Sequence, residues 1–303
     1  MIVLYCFYQI DSFSGGWTKS VNTYKLSPYH LLKVRETTLD FRKKTVIMGI
    51  LNVTPDSFSD GGRFNHLDLA VQHARQMESD GADIIDIGGE STRPGHLPVD
   101  LDEEIARVVP MIQAVRKQTS LPISIDTYKA ETARHALDAG ADIINDIWGA
   151  KADPEMAKVA AEYQVPIVLM HNRDNNHYNR IIEDLKQDLQ ESIDRVLDAG
   201  VVPENIILDP GIGFAKDDRQ NLYVMNHLDA LHELGYPILL GTSRKGFIGR
   251  ALDLPVDQRV EGTGATVCLG IAKGCQMMRV HDVREMARMA KMMDAMLQED
   301  HLD

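Results

Sequence analysis

Short apolar runs that alternate with amphipathic stretches constrain this chain more than any other feature. Past Lys44 there are eight of them: VIMGIL from Val46, DIIDIG from Asp83, PISID from Pro122, DIIND from Asp142, PIVLMH from Pro166, NIILDPG from Asn205, PILLGTS from Pro237 and QMMRVHD from Gln276. Each is short and rich in aliphatic residues, as expected of a parallel strand covered on both faces. The intervening segments, such as LDLAVQHARQMESDG and LDEEIARVVPMIQAVRKQ, carry apolar residues at three and four spacing, with a glycine or proline near several ends, which predicts helices. A faint repeat supports the unit, since SDGADIIDI from Ser79 and DAGADIINDI from Asp138 share a helix-ending glycine and a strand entry. Eight βα units over about 250 residues predict an α/β fold, a (β/α)8 TIM barrel, more strongly than an open doubly wound sheet.

Residues 1–45 differ in charge, with seven basic residues against three acidic. From about Tyr29 to Lys44 we expect a hairpin over the amino-terminal mouth, or bottom, of the barrel. Residues 1–28 are an extension without an interpretable role, and residues 29–303 read as a single barrel domain. At 44% hydrophobic and 25% charged, the 303-residue chain has an ordinary globular composition. Its formal net charge of -13 argues against a sequence-independent grip on nucleic acid, while leaving room for a local positive pocket. Cys6, Cys268 and Cys275 form no CxxC pair and read as packing residues in a reducing compartment. No apolar run approaches the roughly 20 residues of a membrane span. The opening MIVLYCFYQI lacks the basic start of a secretory signal. The expectation is a cytoplasmic protein without membrane contact.

In this fold, function sits on the loops at the carboxyl ends of the strands. Those exits are polar throughout: Asn52; the segment GGESTRPG; Asp126; Asn145 with Asp146; Met170 with His171; Asp209; Ser243, Arg244 and Lys245; Arg279 with His281. Any one of these reads equally well as a helix cap; the set does not. The first exit, IMGILNVTPDSFSDGG, is longer and more polar than a strand-to-helix turn requires.

Asp126, Asn145 and Asp209, from the third, fourth and sixth strands, would converge near the barrel axis. A carboxylate can accept two parallel N–H bonds from a flat nitrogen-rich ring, and a neighbouring amide can both donate and accept. The rival reading is a magnesium site, although that ion usually keeps waters and is shared with substrate phosphates. Arg93, Lys245, Arg279 and His281 bring positive charge to the same mouth, as a phosphate-bearing substrate requires. GTSRKG falls short of a P-loop and GIGFAK of a dinucleotide fingerprint. No nucleophilic serine or cysteine stands in a recognised motif. Substitution at a carbon bearing a phosphate-type leaving group needs positioning, charge neutralisation and a metal, which matches these residues.

Taken in order, LNVTPDSFSDGG, GGESTRPG, SIDT, IND, LMH, LDPGIGF, TSRKGF and RVHDV resemble the bacterial dihydropteroate synthase family of pterin-binding TIM barrels, over roughly residues 30–295. The resemblance implies condensation of 6-hydroxymethyl-7,8-dihydropterin diphosphate with p-aminobenzoate to 7,8-dihydropteroate and pyrophosphate, a step of folate synthesis. It implies that Asp126, Asn145, Asp209, Lys245 and Arg279 hold the pterin, with Met170 lining its pocket. Asn52 would bind Mg2+ and, with Arg279 and His281, the diphosphate. Phe58, Thr92, Arg93, Pro94 and Ser243 would form the p-aminobenzoate site, and Asp60 would sit over the reacting carbon beside Lys245, Arg279 and His281. A homodimer using C-terminal helices is implied. A pterin-dependent methyltransferase, which would need a corrinoid partner, and an inert pterin-binding paralogue are the alternatives. The extension before Tyr29 is longer than the family's usual start, the loop HNRDNNHYN from His171 reads as mobile and without a role, and Met286, Met289, Met293 and Met296 share helical spacing that reads as core.

Overall fold

The computed structural model describes residues 27–52, 63–90 and 99–298. Its first elements are the antiparallel strands β1 (Leu31–Val34) and β2 (Thr37–Asp40), paired in register Leu32 with Leu39. Alternate residues of this hairpin, Leu32, Val34 and Leu39, are buried together with Phe41. This is the period-two pattern of a ribbon with one apolar face.

The first apolar run becomes β3 (Val46–Asn52), buried at every position except Asn52. The other runs form β4 (Ile84–Gly88), β5 (Ile123–Asp126), β6 (Ile143–Asp146), β7 (Ile167–Met170), β8 (Ile206–Asp209), β9 (Leu239–Leu240) and β10 (Met277–Val280). All pair in parallel in the order β8-β7-β6-β5-β4-β3-β10-β9. The ring closes between β8 and β9 through a bridge from Leu208 to Ile238, with the Leu208 N–H donating to the Pro237 carbonyl at 2.9 Å. Around it lie α1 (Arg63–Asp80), α2 (Leu101–Arg116), α3 (Ala130–Asp138), α4 (Met156–Tyr163), α5 (Ile181–Asp198), α6 (Asp218–Asn226), α7 (Gly246–Leu252), α8 (Val260–Ala272) and α9 (Val283–Gln298). The fold is the expected (β/α)8 barrel.

Two apolar cores result from the alternation of side chains along each strand. Ile47, Leu51, Ile85, Ile87, Ile125 and Leu169 face outward and pack with the helices. Val46, Met48, Ile84, Ile143, Val168, Ile207, Leu239 and Met277 face inward and form a separate cluster with Leu32, Val34, Leu39 and Phe41. The hairpin therefore plugs the lower mouth as expected, and Arg35 at its turn reaches Asp142 at 3.3 Å. Because the bottom of the barrel is filled by hydrocarbon, the polar residues higher on the same strands have one opening, at the carboxyl ends.

The methionine stripe of α9 is core only in part. Met286 is fully buried and Met289 and Met293 pack against the outer core. Met296, expected in the core, is 51% exposed, two residues before the end of α9. Among the described residues, no helix is long and apolar enough to cross a membrane. Cys275 is buried and Cys268 partly so, both as free thiols, while Cys6 lies outside the described residues.

Candidate active site at the barrel mouth

Strand register decides which polar residues meet. Asp126 pairs directly with Asn145 across β5 and β6, and Gly88 of β4 lies beside Asp126 on the other side. A Cβ on Gly88 would sit 3.4 Å from that of Asp126, so both positions face inward and Gly88 leaves space there. One step down β4, Asp86 is fully buried. From β10, Arg279 crosses the axis with its Nε and Nη2 each 2.7 Å from Asp86 Oδ2. The same Nη2 donates to Asp126 Oδ2. The Asn145 amide nitrogen lies 3.3 and 3.4 Å from the Asp86 oxygens.

Burial pushes the Asp126 carboxyl up to about 7 against the pull of Arg279, because the charged form has lost its water. Its Oδ1 is buried without a hydrogen-bond partner, as is Ser124 Oγ lower on the strand. A buried acceptor without a donor is costly to leave so, and this one ends β5 on the carboxyl side of the barrel. Arg279 is held above its usual range by Asp86 and Asp126, against the effect of burial.

The sixth strand contributes Asp209, whose Oδ1 accepts from the Gly211 N–H at 2.7 Å. The loop DPGIGF turns back sharply, with Gly211 and Gly213 at φ 64° and 87°, angles that an L side chain adopts only with strain. Space is a second reason for both glycines: a Cβ at 211 would lie 1.9 Å from the His171 carbonyl oxygen, and one at 213 would lie 2.8 Å from Lys245 Cδ. Lys245 threads past Gly213, donates to the Ile212 carbonyl and places its ammonium 4.6 Å from the Phe214 ring centroid. Burial pushes this ammonium down to about 8, and Asp209 opposes the shift. Asp209 is itself raised by burial, with Lys245 opposing.

Behind this pair stands Lys216, bound to the carbonyls of Gly211 and Phe214 at 3.0 and 3.1 Å and to His171 Nδ1 at 2.9 Å. Burial lowers Lys216 to about 7. His171 is fully buried, meets Asp188 at 3.0 Å through Nε2 and is pushed by burial down to about 4. The loop after β7, expected to be mobile, is instead tied at several points: Arg173 pairs with Asp188, the Tyr178 hydroxyl donates to the Ala215 carbonyl at 2.8 Å, and Gln220 donates to the Asn176 carbonyl at 3.0 Å. A cavity of about 340 Å³ lies on this loop, lined by Arg173, His177, Tyr178, Asp184 and Asp188. None of its lining residues belongs to the barrel interior, and Arg173 and Asp188 satisfy each other.

At the seventh and eighth exits, Ser243 Oγ meets the His281 N–H at 3.1 Å and Nδ1 at 2.9 Å. The next residues repeat the link, Arg244 Nε donating to Asp282 Oδ2 at 3.0 Å. Arg244 has the left-handed φ of 56° and stands between Ser243, which meets His281, and Lys245, which meets the Ile212 carbonyl. Met170 is buried at the end of β7, and Asn52 ends β3 half-buried at the rim.

The structure therefore brings together Asp126, Asn145, Met170, Asp209, Ser243, Lys245, Arg279 and His281, and sets Asn52 on the same rim. Phe58, Asp60, Thr92, Arg93 and Pro94 lie outside the described residues. Asp86 and Lys216 went unnoticed in the sequence. Asp86 had a signal, an acid two residues from Ile84 and from Gly88 on the inward-facing register of an apolar strand. Among the described residues, no group of three His, Cys, Asp or Glu side chains could hold a metal ion. Asn52 offers one hard oxygen, which suits an ion whose remaining ligands are substrate phosphates and water.

Residues 48–281 match the family described as Pterin binding enzyme. The dihydropteroate synthase of Bacillus subtilis (strain 168) is 61% identical over 267 residues, 88% of this chain and 94% of that protein. This chain belongs to the dihydropteroate synthase family of pterin binding enzymes. Among solved structures of the family, a dihydropteroate synthase from Clostridium difficile, crystallised in the presence of pteroic acid, superposes with a TM-score of 0.84 at 52% identity, covering 85% of this chain and 98% of that one. The Xanthomonas albilineans dihydropteroate synthase in complex with 7,8-dihydropteroate gives a TM-score of 0.81 at 37% identity, covering 88% and 98%. The family model begins at Met48, within β3, whereas the 267 residues aligned with the Bacillus subtilis enzyme exceed the 256 that run from Met48 to Asp303, so that likeness extends into the segment before the first barrel strand.

Proposed function

We infer that the chain condenses 6-hydroxymethyl-7,8-dihydropterin diphosphate with p-aminobenzoate, as its dihydropteroate synthase relatives are named for doing. The observation that carries this reading is the convergence of Asp126, Asn145 and Asp209 with Lys245 in one buried cup above an apolar plug. Asp126, with its unpartnered Oδ1, accepts the paired N–H groups of an aminopyrimidine edge, and Asn145 and Asp209 satisfy the rest of the ring. Lys245 adds a cation beside Asp209 and Met170 lines the wall.

In the reaction, the bond from the pterin methylene carbon to the diphosphate oxygen breaks and its electron pair leaves with pyrophosphate. The aromatic amine nitrogen then bonds to that carbon and loses a proton. Arg279 and His281 hold the departing diphosphate, the imidazole oriented by Ser243, and so neutralise charge as it develops. Asn52 would hold Mg2+, which when bound offsets the charge of the diphosphate. From the family resemblance, Ser243 with Phe58, Thr92, Arg93 and Pro94 would take p-aminobenzoate, and Asp60 would serve the reacting carbon. Pairing of two copies is supported by exposed apolar side chains, Leu252 and Leu269 on α7 and α8 and Met292 and Met296 on α9. The cytoplasm is the compartment that the free thiols suit.

Pyrophosphate release measured with Mg2+ and each substrate alone, then with both, tests the reading. Release is expected only when both are present. Absence of release with both would leave an inert pterin binder, and methyl transfer to a corrinoid protein would point to the other enzyme class.

A further inference from the structure

Arg279 is shared by two buried acids, and they hold it unequally. Asp86 Oδ2 lies 2.7 Å from both Nε and Nη2, whereas Asp126 receives Nη2 alone and keeps Oδ1 unpartnered. Asp86 is fully buried on the inward face of β4, one register step below the rim, and its other neighbour is the Asn145 amide. A carboxylate so placed is tolerated only with a cation on it.

We propose that Asp86 is the positioning residue for Arg279, retaining the guanidinium so that a pterin ring can take Asp126 away from it. This rests on the pterin reading given above. On the empty protein Arg279 occupies Asp126 Oδ2, one of the oxygens that the ring needs. When the ring's N–H groups replace Nη2 there, Arg279 still has Asp86 and no buried charge is stranded. Without the Asp86 carboxylate, Asp126 is the one acid left of the two that the guanidinium touches, and ring and arginine compete for the same oxygens. Asp86 itself touches neither substrate; it acts through Arg279 on the affinity for one of them.

The test is Asp86→Asn in the full chain, with binding of 6-hydroxymethylpterin followed by calorimetry and both KM values measured. Pterin affinity is expected to fall by about tenfold or more, the size of one charged hydrogen bond. The KM for the pterin diphosphate should rise while that for p-aminobenzoate stays put. A purely structural fault would instead lower kcat with the amount of folded protein and leave both KM values alone. In an Arg279→Ala background, adding Asp86→Asn should cause no further loss of pterin affinity, because the effect has only one route. Equal losses in both backgrounds, or unchanged pterin affinity in Asp86→Asn, would overturn the proposal. Should Asp86→Asn not fold, a crystal structure of the unaltered protein with the pterin decides: Arg279 is expected off Asp126 and still on Asp86, and a guanidinium that has left Asp86 overturns it. If the unaltered protein binds no pterin, the functional reading fails instead, before any variant is compared.

Discussion

Gly213→Ala is a one-carbon probe of the Lys245 position. The glycine sits at φ 87°, and the added Cβ would lie 2.8 Å from Lys245 Cδ and 3.5 Å from Cε. Carbon atoms pack at about 3.5–4.0 Å, so the lysine stem must retreat by most of an ångström or the loop must open. The left-handed angle costs an alanine about 1–2 kcal/mol, partly offset by about 0.4–1 kcal/mol from a less flexible unfolded chain. Forcing the lysine off its rotamer adds about 0.5–1.5 kcal/mol. The net loss is about 1–2 kcal/mol, a fall in Tm of roughly 1.5–3 °C for a protein of this size. Activity should fall further than stability, because a misplacement of about 1 Å in a positioned group costs up to about a hundredfold. Gly235→Ala supplies the control: its φ is 82°, nearly the same, yet nothing lies within 4 Å of its Cβ. Differential scanning fluorimetry and kcat/KM on the two variants separate backbone strain from displacement of the lysine. Both should lose Tm, and only Gly213→Ala should lose about tenfold to a hundredfold in kcat/KM. Equal kcat/KM for the two would refute the argument that Gly213 is there to let Lys245 pass.

Asp209→Ala removes a buried carboxylate of the cup, and calorimetry with the pterin should detect no binding while circular dichroism stays native; unchanged affinity would remove Asp209 from the ring site. Lys245 titrates near 8, its cation being present below that pH and lost above it, so the KM for the pterin diphosphate should climb as pH passes through about 8. Lys245→Arg should abolish that rise in a pH series, and a rise that persists would assign it to another group. For His171, moved from 6.5 to about 4 by burial, the folded state resists the proton that the unfolded chain accepts. Stability contributed by the neutral imidazole is then complete above about 6.5 and lost as pH falls toward 4, up to about 3 kcal/mol. Urea midpoints for His171→Gln should flatten over that window, and curves parallel to those of the unaltered protein would exclude His171 as the source.

Much of the fold could be read from the sequence because a parallel strand buried on both faces leaves an unmistakable run such as VIMGIL, and because glycine and proline punctuate the helices between. The exits were readable for a related reason: Asp126, Asn145 and Asp209 end their strands, where apolar residues give way to polar ones. Asp86 escaped because its strand continues past it to Ile87 and Gly88, so it reads as a blemish in an apolar run. Only a count along the strand puts it on the inside. Lys216 escaped because two of its partners are the backbone carbonyls of Gly211 and Phe214, which no side-chain pattern announces, and the third, His171, is 45 residues away in the chain. The loop from His171 to Asn179 looked loose because polar composition is the same in a free loop and a tethered one. Its tethers, Asp188 and Ala215, come from α5 and from the loop after β8.

The barrel is a ring with a clasp, since β8 and β9 meet through the Leu208–Ile238 bridge while most other neighbours share a fuller ladder. Asp209 leaves from one side of that clasp, and Lys245 follows the other. A ligand gripped by both residues therefore spans the joint and adds its own binding energy to closure of the ring. The amides along β8 and β9 should consequently be where hydrogen exchange slows most when the cup is filled, making the seam a built-in gauge of occupancy.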